Sequence, residues 1–450
     1  MLDTICAIST PMGVGGISII RLSGKDAYDV ASKFFATFNK KTTELKPRYM
    51  YLGEFNLGEM KEQCMCVYFK SPYSYTGEDI IEFQCHGGIA VTKKILETLL
   101  KGGCRLAEAG EFTKRAFLNK KISLDRAEGV IDIINAESES ELKAGYTLMQ
   151  GNLQKEITDI QKQLTDILAF IDVNFDYPEF DDEGITNKEV LDKVKGIFEK
   201  LTTIRNTADT GMTIKNGCRI VILGKPNAGK SSLMNGLLNY DRAIVTDIKG
   251  TTRDVLEETY TYKGVKFVLV DTAGVRESND TVERIGVEKS KEMIKTADLV
   301  LLMIDSSVPL EEEDYQIFDM VKGKRVLTVI NKTDLESKIN EKAIPFENIV
   351  KISAMKKKGI DELKKTIYDI VIDENIMSSN VIITNSRHIS ALDRAIESAK
   401  QVIESLNNND ALELITVDIN NIWISLGEIT GETNNEEIIN SIFMNFCVGK

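Results

Sequence analysis

The sequence predicts a multidomain protein of α/β and α class. A doubly wound, mostly parallel sheet is inserted in a helical domain and preceded by an α+β domain. The chain has 450 residues, which is too long for one ordinary core. Short β-rich apolar runs alternate with helix-like segments between about residues 216 and 375, as in buried parallel sheets. Helical periodicity flanks this region on both sides.

These patterns of predicted secondary structure divide the chain into four segments. The α+β domain is predicted at 1–118, the two parts of the helical domain at 119–215 and 376–450, and the inserted α/β domain at 216–375. Insertion is plausible physically because the two ends of a domain often lie close together.

In the first segment, strands are predicted at ISIIRLS (17–23) and QCMCVYF (63–69). AVTKKILETLLKGG (90–103) predicts a helix that stops at glycine. Alternation along a strand places Cys64 and Cys66 on one face.

In the helical segments, apolar residues recur at spacings of three and four and predict one buried helix face: Ile157, Ile160, Leu164, Ile167 and Ile171. Pro178, in the acidic loop 176–184, ends that helix. Further helices are expected at about 187–210, 386–407, 411–427 and 433–446. In the inserted segment, the expected strands are RIVILG (219–224), KFVLVD (266–271), LVLLMID (299–305) and RVLTVINK (325–332).

Composition narrows the function classes. Hydrophobic content of 42% and charged content of 28% are typical of a soluble globular protein, and no apolar run is long enough to span a bilayer. The start of the chain does not resemble a secretory signal, and seven cysteines without a CxxC pair do not resemble a disulfide framework or zinc site. We therefore expect a cytoplasmic protein. A net charge of -13 means that any RNA contact must use local basic patches or a partner.

The strongest motif is GKPNAGKS, from Gly224 to Ser231, which matches GxxxxGK[ST] between a predicted strand and helix. Glycines such as Gly229 let backbone N–H groups wrap phosphate oxygens. Lys230 would place its charge on the β and γ phosphates, and the Ser231 hydroxyl would ligate Mg²⁺. Ala228 and Ser232 complete the phosphate-binding segment.

Two further motifs complete the nucleotide site, and the second predicts that the nucleotide is GTP. DTAG follows the strand KFVLVD, so that Asp271 can hold the magnesium shell through water and Gly274 can donate to the γ phosphate; Thr272 and Ala273 lie between them. In NKTD (Asn331, Lys332, Thr333, Asp334), the aspartate can accept hydrogen bonds from guanine N1–H and the 2-amino group, which adenine lacks. Ser353 and Ala354 would supply a backbone N–H to guanine O6.

A switch loop is predicted around GTTRD, where Thr252 would complete magnesium coordination in the triphosphate state. Val275 follows DTAG, where small signalling GTPases carry a water-orienting glutamine. Another polar group must replace that glutamine. Glu283, Arg276 and Arg284 are candidates, although spacing alone favours a solvated loop charge for each of them.

Two features stay open on the residues alone. Asn227 is either a turn-forming asparagine or a ligand, through its side-chain carbonyl, for a monovalent cation beside the phosphates. Cys447 lies in the terminal segment FCVGK, which is either a frayed chain end or the carrier of a functional thiol.

Taken together, the chain resembles the MnmE (TrmE) family of tRNA-modification GTPases over nearly its whole length. The shared GTPase motifs are widespread, whereas IIRLSG, SYTGEDIIEFQCHGG, RAFLNKKISLDRAE and the terminal FCVGK are more specific. The resemblance implies a folate-binding N-terminal domain that also forms a homodimer. It implies potassium-dependent GTP hydrolysis and a partner, MnmG (GidA), which carries FAD. The two would form a heterotetramer or larger complex that modifies C5 of the wobble uridine of certain tRNAs, with the one-carbon unit from 5,10-methylene-tetrahydrofolate or a 5-formyl analogue.

The resemblance also implies residue roles. The potassium ligands would be Asn227, Thr246, Ile248 and Thr251, in a nucleotide-binding loop that includes Asp247, Lys249 and Gly250. The magnesium ligands would be Ser231 and Thr252, and the catalytic residues Glu283, Thr252 and Lys230. The folate site would comprise Arg21, Glu78, Lys121 (or its neighbour Lys120) and Lys450, with Cys447 serving the modification. The alternative is a ribosome-assembly GTPase, although such proteins usually carry a basic RNA-binding domain after the GTPase domain.

Overall fold

The structure is a computed structural model, and it describes residues 3–38, 44–176, 187–238, 257–271, 292–377, 379–408 and 410–450. The chain divides into two compact units. The first comprises Met1–Ile131, Leu148–Val194 and Glu397–Lys450, and the second comprises Asp132–Thr147 and Lys195–Ile396. The four predicted segment boundaries stay predictions.

The described strands are β1 (Ile5–Ile8), β2 (Ile17–Ser23), β3 (Phe35–Thr37), β4 (Met50–Asn56), β5 (Lys61–Phe69), β6 (Ile80–His86), β7 (Arg105–Leu106), β8 (Cys218–Leu223), β9 (Glu257–Tyr262), β10 (Val265–Asp271), β11 (Leu299–Asp305), β12 (Val326–Asn331) and β13 (Ile349–Lys351). The described α-helices are α1 (Ala27–Phe34), α2 (Ile89–Lys101), α3 (Glu111–Leu118), α4 (Leu124–Asn135), α5 (Glu139–Met149), α6 (Asn152–Asp176), α7 (Asn187–Asn206), α8 (Ala208–Asn216), α9 (Lys230–Leu238), α10 (Glu312–Met320), α11 (Ile360–Val371), α12 (Glu374–Met377), α13 (Ser386–Asn407), α14 (Leu412–Thr430) and α15 (Glu436–Phe443).

The first unit contains a seven-stranded sheet in the order β3-β4-β5-β6-β2-β1-β7. Its neighbouring strands are antiparallel except β1 and β7, which are parallel. Helices α1 and α2 cover one face, over a core that includes Ile20, Phe55, Phe83, Ile95 and Leu99. The predicted α+β class of this part is confirmed.

The helices of the first unit include α6, which packs along α14. The predicted apolar face of α6 is confirmed, because all five of its members are buried: Ile157, Ile160, Leu164, Ile167 and Ile171. This packing stabilises both helices, since each fully buried aliphatic side chain contributes about 1.5–3 kcal/mol.

The second unit contains a six-stranded sheet in the order β13-β12-β11-β8-β10-β9. Only β9 runs antiparallel to its neighbour, so the predicted doubly wound and mostly parallel sheet is confirmed. The three central strands β8, β11 and β12 are buried almost throughout. Because the carboxyl ends of parallel strands meet at one edge, the loops after these strands form the site.

One predicted helix is wrong in extent. The helix expected at about 187–210 is two helices, α7 and α8, separated at Thr207. The Thr207 hydroxyl donates to the Ile204 carbonyl at 2.7 Å and accepts from the Ile383 N–H at 3.1 Å. These hydrogen bonds join the break to a segment distant in sequence, which local periodicity cannot reveal.

Candidate functional site

The loop after β8 has the backbone shape that its glycines require. Gly224 and Gly229 have φ angles of +151° and +100°. A Cβ at Gly224 would lie 2.5 Å from the Met303 carbonyl oxygen, and a Cβ at Gly229 would lie 2.2 Å from the Asn331 side-chain nitrogen. Both positions therefore demand glycine, for reasons of conformation and of close approach.

Lys230 opens α9 and is buried. Its Nζ donates to the carbonyl oxygens of Gly224 at 2.8 Å and Lys225 at 2.9 Å. The ammonium group is thus held across the loop, where it can bind a phosphate oxygen after exchanging one of these carbonyls. The neighbouring Ser231 is exposed at the N-terminal end of the same helix. Its hydroxyl, with phosphate and water oxygens, belongs to the hard donor set that Mg²⁺ prefers.

Asn331 joins the two ends of the site. It is the last residue of β12 and only 2% exposed. Its side-chain nitrogen donates to the Ala228 carbonyl at 2.8 Å, and its side-chain oxygen accepts from the Ala354 N–H at 2.9 Å. One side chain therefore fastens the phosphate-binding loop to the segment that would bind the base.

Asp334 lies at the opposite end of the site. It accepts a hydrogen bond from the Ser353 hydroxyl at 2.6 Å, and Lys356 lies 3.8 Å from its other oxygen. The hydrogen bond from Ser353 is the main reason that the pKa of Asp334 is below its usual value. The carboxylate therefore stays ionised and can accept from two guanine donors. The Ala354 N–H, predicted to bind guanine O6, already donates to Asn331, so a base oxygen would have to share or replace that bond.

Both ends open into one cavity of about 680 Å³. Eleven of the predicted residues line it: Gly224, Asn227, Gly229, Lys230, Ser231, Ser232, Asn331, Lys332, Asp334, Ser353 and Ala354. Apolar residues that the motifs did not predict complete the wall: Leu223, Pro226, Ile317, Met320, Leu335 and Met355. A polar floor with apolar flanks suits a nucleotide, whose base packs between apolar side chains.

Sequence reasoning missed Asp305, which ends β11 beside Asn331 in register. Its carboxylate lies 2.5 Å from the Lys332 ammonium, and Ser307 donates to it through N–H and hydroxyl. Burial raises the pKa of Asp305, but the hydrogen bonds from Lys332 and Ser307 lower it below the usual value. The sequence did place Asp305 at the carboxyl end of a predicted buried strand, where ligand-binding residues of parallel sheets lie, and this position could have identified it.

Lys225 was also missed. Its ammonium pairs with Glu311 at 2.9 Å and with the buried Asp314 at 2.7 Å. Glu311 caps α10, so the ion pairs tie the phosphate-binding loop to the start of that helix. This arrangement fixes the outer side of the loop.

Several predicted residues lie outside the described part of the chain. These are Thr246, Asp247, Ile248, Lys249, Gly250, Thr251, Thr252, Thr272, Ala273, Gly274, Arg276, Glu283 and Arg284. Asp271 is the last residue of β10 and pairs in register with Ile222 of β8, so its backbone lies at the same sheet edge as the phosphate-binding loop.

The first unit contains a second polar site, at Arg21 on β2. The Arg21 guanidinium pairs with Glu82 at 2.7 Å and lies over the rings of Tyr75 and Phe112, at 5.9 and 5.6 Å from their centroids. It also donates to the Gly449 carbonyl at 3.5 Å. These contacts hold the cation in one position against two aromatic rings.

The segment FCVGK docks against the same unit. Val448 forms a bridge with Ala109, the Lys450 carbonyl accepts from the Phe112 N–H at 3.2 Å, and the Ser9 hydroxyl donates to Gly449 at 3.0 Å. Burial, followed by the nearby Arg21 charge, lowers the pKa of the Lys450 ammonium. Of the two alternatives for this segment, a frayed end is wrong. Cys447 itself is exposed.

The other two folate candidates are engaged elsewhere in this unit. Glu78 accepts from the Ser23 hydroxyl at 2.7 Å and pairs with the buried Arg115 at 3.0 Å. Lys121 donates to the Pro72 carbonyl at 2.9 Å. Arg21 and Lys450 are thus brought together, whereas Glu78 and Lys121 have described partners of their own.

Comparison with known proteins identifies the family of the chain. A family model described as GTP-binding protein TrmE N-terminus matches residues 4–121, and one described as MnmE helical domain matches residues 124–447. The tRNA modification GTPase MnmE of Clostridioides difficile (strain 630) is 44% identical and covers 100% of this chain and 99% of its own length. Those of Alkaliphilus metalliredigens and Ligilactobacillus salivarius are 40% and 42% identical, covering 100% of this chain and 99% and 98% of their own lengths. The chain therefore belongs to the MnmE family of tRNA modification GTPases and is a GTP hydrolase.

Proposed function

We propose that this GTP hydrolase is potassium-dependent and works with MnmG. Together they would add a carboxymethylaminomethyl or aminomethyl group to C5 of the wobble uridine of certain tRNAs. The observation that carries the proposal is the joining of phosphate-binding and base-binding segments through Asn331, in a chain that also docks FCVGK beside Arg21. A guanine-nucleotide site and a one-carbon site would thus belong to one polypeptide.

In the nucleotide site, each described residue has a distinct task. Asp334 would select guanine, and Lys230 would exchange its carbonyl partners for phosphate oxygens. Ser231 would hold Mg²⁺, which neutralises charge that develops on the phosphates. Glu283 would orient the attacking water, as the family resemblance implies.

Potassium would bind through Asn227, whose φ angle of +63° holds the loop in a left-handed turn beside the phosphates. Its side-chain carbonyl is a hard oxygen donor of the kind that alkali cations accept. Thr246, Ile248 and Thr251 would supply the remaining oxygens. A monovalent cation at this point would offset transition-state charge, in the place of an arginine finger.

The folate would bind at Arg21 and Lys450. Two cations that repel one another electrostatically, each partly shielded from solvent, suit an anionic ligand, and the aromatic rings of Tyr75 and Phe112 suit a flat heterocycle. The folate would supply the one-carbon unit. Cys447, exposed on the docked segment, would serve the modification close to that unit.

A homodimer would form through the first sheet. On the face opposite α1 and α2, the exposed side chains include Ile17, Met50, Leu52 and Met65, with exposures of 63%, 55%, 49% and 37%. Leu52 and Met65 are direct cross-strand partners, so the apolar surface is continuous across β4 and β5. An apolar sheet face of this kind is stabilised when a second copy covers it.

No helix within the described residues is long and apolar enough to span a bilayer.

Mass analysis of tRNA nucleosides from cells with and without this gene tests the proposal. Loss of the modified wobble uridine on deletion is expected. Unchanged nucleosides together with co-sedimentation on ribosomes would instead favour a ribosome-assembly GTPase.

Two enzyme measurements test the mechanism separately. The GTPase rate should be much higher in potassium than in sodium, and equal rates would remove the cation from the mechanism. Glu283→Ala should slow hydrolysis strongly and leave GDP binding nearly unchanged, whereas unchanged turnover would remove its assigned role.

A further inference from the structure

Charge is distributed unevenly along this acidic chain. The net charge is -13, yet the first 121 residues contain 17 basic and 13 acidic side chains. The N-terminal domain is therefore the part of the chain that can attract a polyanion.

Part of this positive charge lies on one surface, which we call the basic–aromatic rim: Lys46, Arg48, Lys70, Tyr73, Lys120 and Lys121. Three turns build it. The Arg48 N–H donates to the Tyr68 carbonyl at 2.7 Å, and the Tyr73 N–H donates to the Lys70 carbonyl at 2.9 Å. Lys121 reaches the Pro72 carbonyl at 2.9 Å, which joins the third turn to the second.

Arg48 and Tyr73 form the centre of the rim. The Arg48 guanidinium lies 5.8 Å from the centroid of the Tyr73 ring, and Tyr73 is 71% exposed. Arg48 and Lys120 also have φ angles of +64° and +57°, where glycine or asparagine is usually found. The rim thus presents an aromatic face and a planar cation to solvent, together with flexible ammonium groups.

Nearby carboxylates do not neutralise the rim. Among the residues that the structure describes, none of its five cations forms an ion pair. Asp79 accepts from the Ser71 N–H at 2.7 Å, and Glu78 is paired with Arg115. Of the other acidic residues close in sequence, Asp125 is buried, whereas Glu44 is exposed.

The rim adjoins the site at Arg21. Tyr73 and Tyr75 belong to one loop, and two residues of extended chain span at most about 7 Å. The ring of Tyr75 contacts the Arg21 guanidinium, and its hydroxyl lies 2.9 Å from the Thr113 hydroxyl. A flexible polyanion on the rim would therefore bring its bases near Arg21.

We infer that the basic–aromatic rim binds the anticodon loop of the substrate RNA. Lys46, Arg48, Lys70 and Lys120 contact backbone phosphates, and an unstacked base packs on Tyr73. Single-stranded RNA is the partner that needs both features, because phosphates require cations and exposed bases stack on aromatic rings. This inference rests on the proposed function, since it takes tRNA as the substrate.

The test is binding of a fluorescein-labelled anticodon stem-loop RNA to the full chain, followed by fluorescence anisotropy at several salt concentrations. Tyr73→Ala should weaken binding about five- to a hundred-fold, while Tyr73→Phe, which keeps the ring, should restore it. Replacing Lys46 and Arg48 together by glutamine should make the dependence of log affinity on log salt less steep, by about 0.7 for each lost phosphate contact.

A matched control removes equal charge elsewhere in the same domain. Lys93 and Lys101 are exposed on α2, and their replacement by glutamine should leave RNA affinity within about twofold of the unmodified chain. Every variant should keep the GTPase rate of the unmodified chain, because no residue of the rim belongs to the nucleotide site. Retained GTPase activity and an unchanged circular dichroism spectrum show that a variant has folded.

The outcomes separate this inference from the proposed function. If the rim variants bind the RNA as well as the control variant, or if the unmodified chain binds no RNA, the rim is not the binding surface. The tRNA function still stands in either case if gene deletion abolishes the wobble modification. If deletion leaves the modification intact, the proposed function fails, whatever the binding result.

Discussion

Replacement of Asn331 by alanine tests whether one side chain holds the nucleotide site together. The substitution removes both hydrogen bonds and leaves the Ala228 carbonyl and the Ala354 N–H without their partner. A buried polar group left unpaired costs about 1–3 kcal/mol, so the two together cost about 2–6 kcal/mol. Cavity water and guanine O6 can each satisfy part of this loss, and without nucleotide the two segments can relax apart. Assembling the site around GDP should therefore cost about 2–4 kcal/mol, or a 30- to 1,000-fold weaker affinity for GDP.

Isothermal titration with Mg²⁺-GDP measures this loss, and thermal unfolding shows whether the variant remains folded. Thr328→Val is the matched control, because Thr328 lies on the same strand, is fully buried and has an unpaired hydroxyl within the described structure. Its removal should change GDP affinity less than twofold. If Asn331→Ala also binds GDP within about threefold of the unmodified chain, the two hydrogen bonds do not maintain the site.

Three further outcomes are expected. Asp334→Asn should lower GTP affinity by about a hundredfold or more and raise affinity for xanthosine triphosphate, measured by competition binding, because the amide donates where the carboxylate accepted; unchanged base preference would contradict the role. Asp305→Asn should speed GDP release about three- to tenfold in stopped-flow fluorescence, because the lysine of NKTD loses its ion pair, while Asp319→Asn in an exposed pair should leave release unchanged. A hydrogen bond from an arginine is the main reason that the pKa of Asp3 is below its usual value. Burial raises the pKa of Glu111, but hydrogen bonds from arginine lower it below the usual value. The two ionised carboxylates therefore contribute folding stability that is fully present above about pH 4.3 and is lost as the pH falls through their folded-state pKa values. The melting temperature should drop in that pH range, and it should drop less steeply with pH in Asp3→Asn; an equal dependence on pH in both proteins would contradict the assignment.

Regular elements with strong local patterns were predictable from the sequence. LVLLMID and the helix at 386–407 agree with β11 and α13 to the residue, because burial on both faces or on one helical stripe leaves a direct periodic signal. The break at Thr207 was not predictable, since it depends on a hydrogen bond to Ile383. A hydrogen bond between residues so far apart in sequence leaves no pattern in the residues around either of them.

The nucleotide site follows the same division. Phosphate and base motifs identified Lys230 and Asp334 because their chemistry is tied to fixed spacing. Asp305 belongs to no such motif, and its role depends on sheet register, which places it opposite Asn331. The hydrogen bond from the Ala354 N–H to Asn331 could not be predicted either, because every residue except proline has a backbone N–H and its presence does not depend on residue type.

The distribution of thiols allows one position of this chain to be labelled selectively with a fluorescent dye. Six cysteines are buried and only Cys447 is exposed. Burial raises the pKa of Cys85 to about 11 and that of Cys66 and Cys218 as well, so their reactive thiolate forms are suppressed at neutral pH. The hydrogen bond with Cys6 lowers the pKa of Cys104, but burial shields that thiol from a reagent. A maleimide dye should therefore attach at a single place without any engineering, and its emission would follow events beside Arg21 while GTP turns over in the other unit.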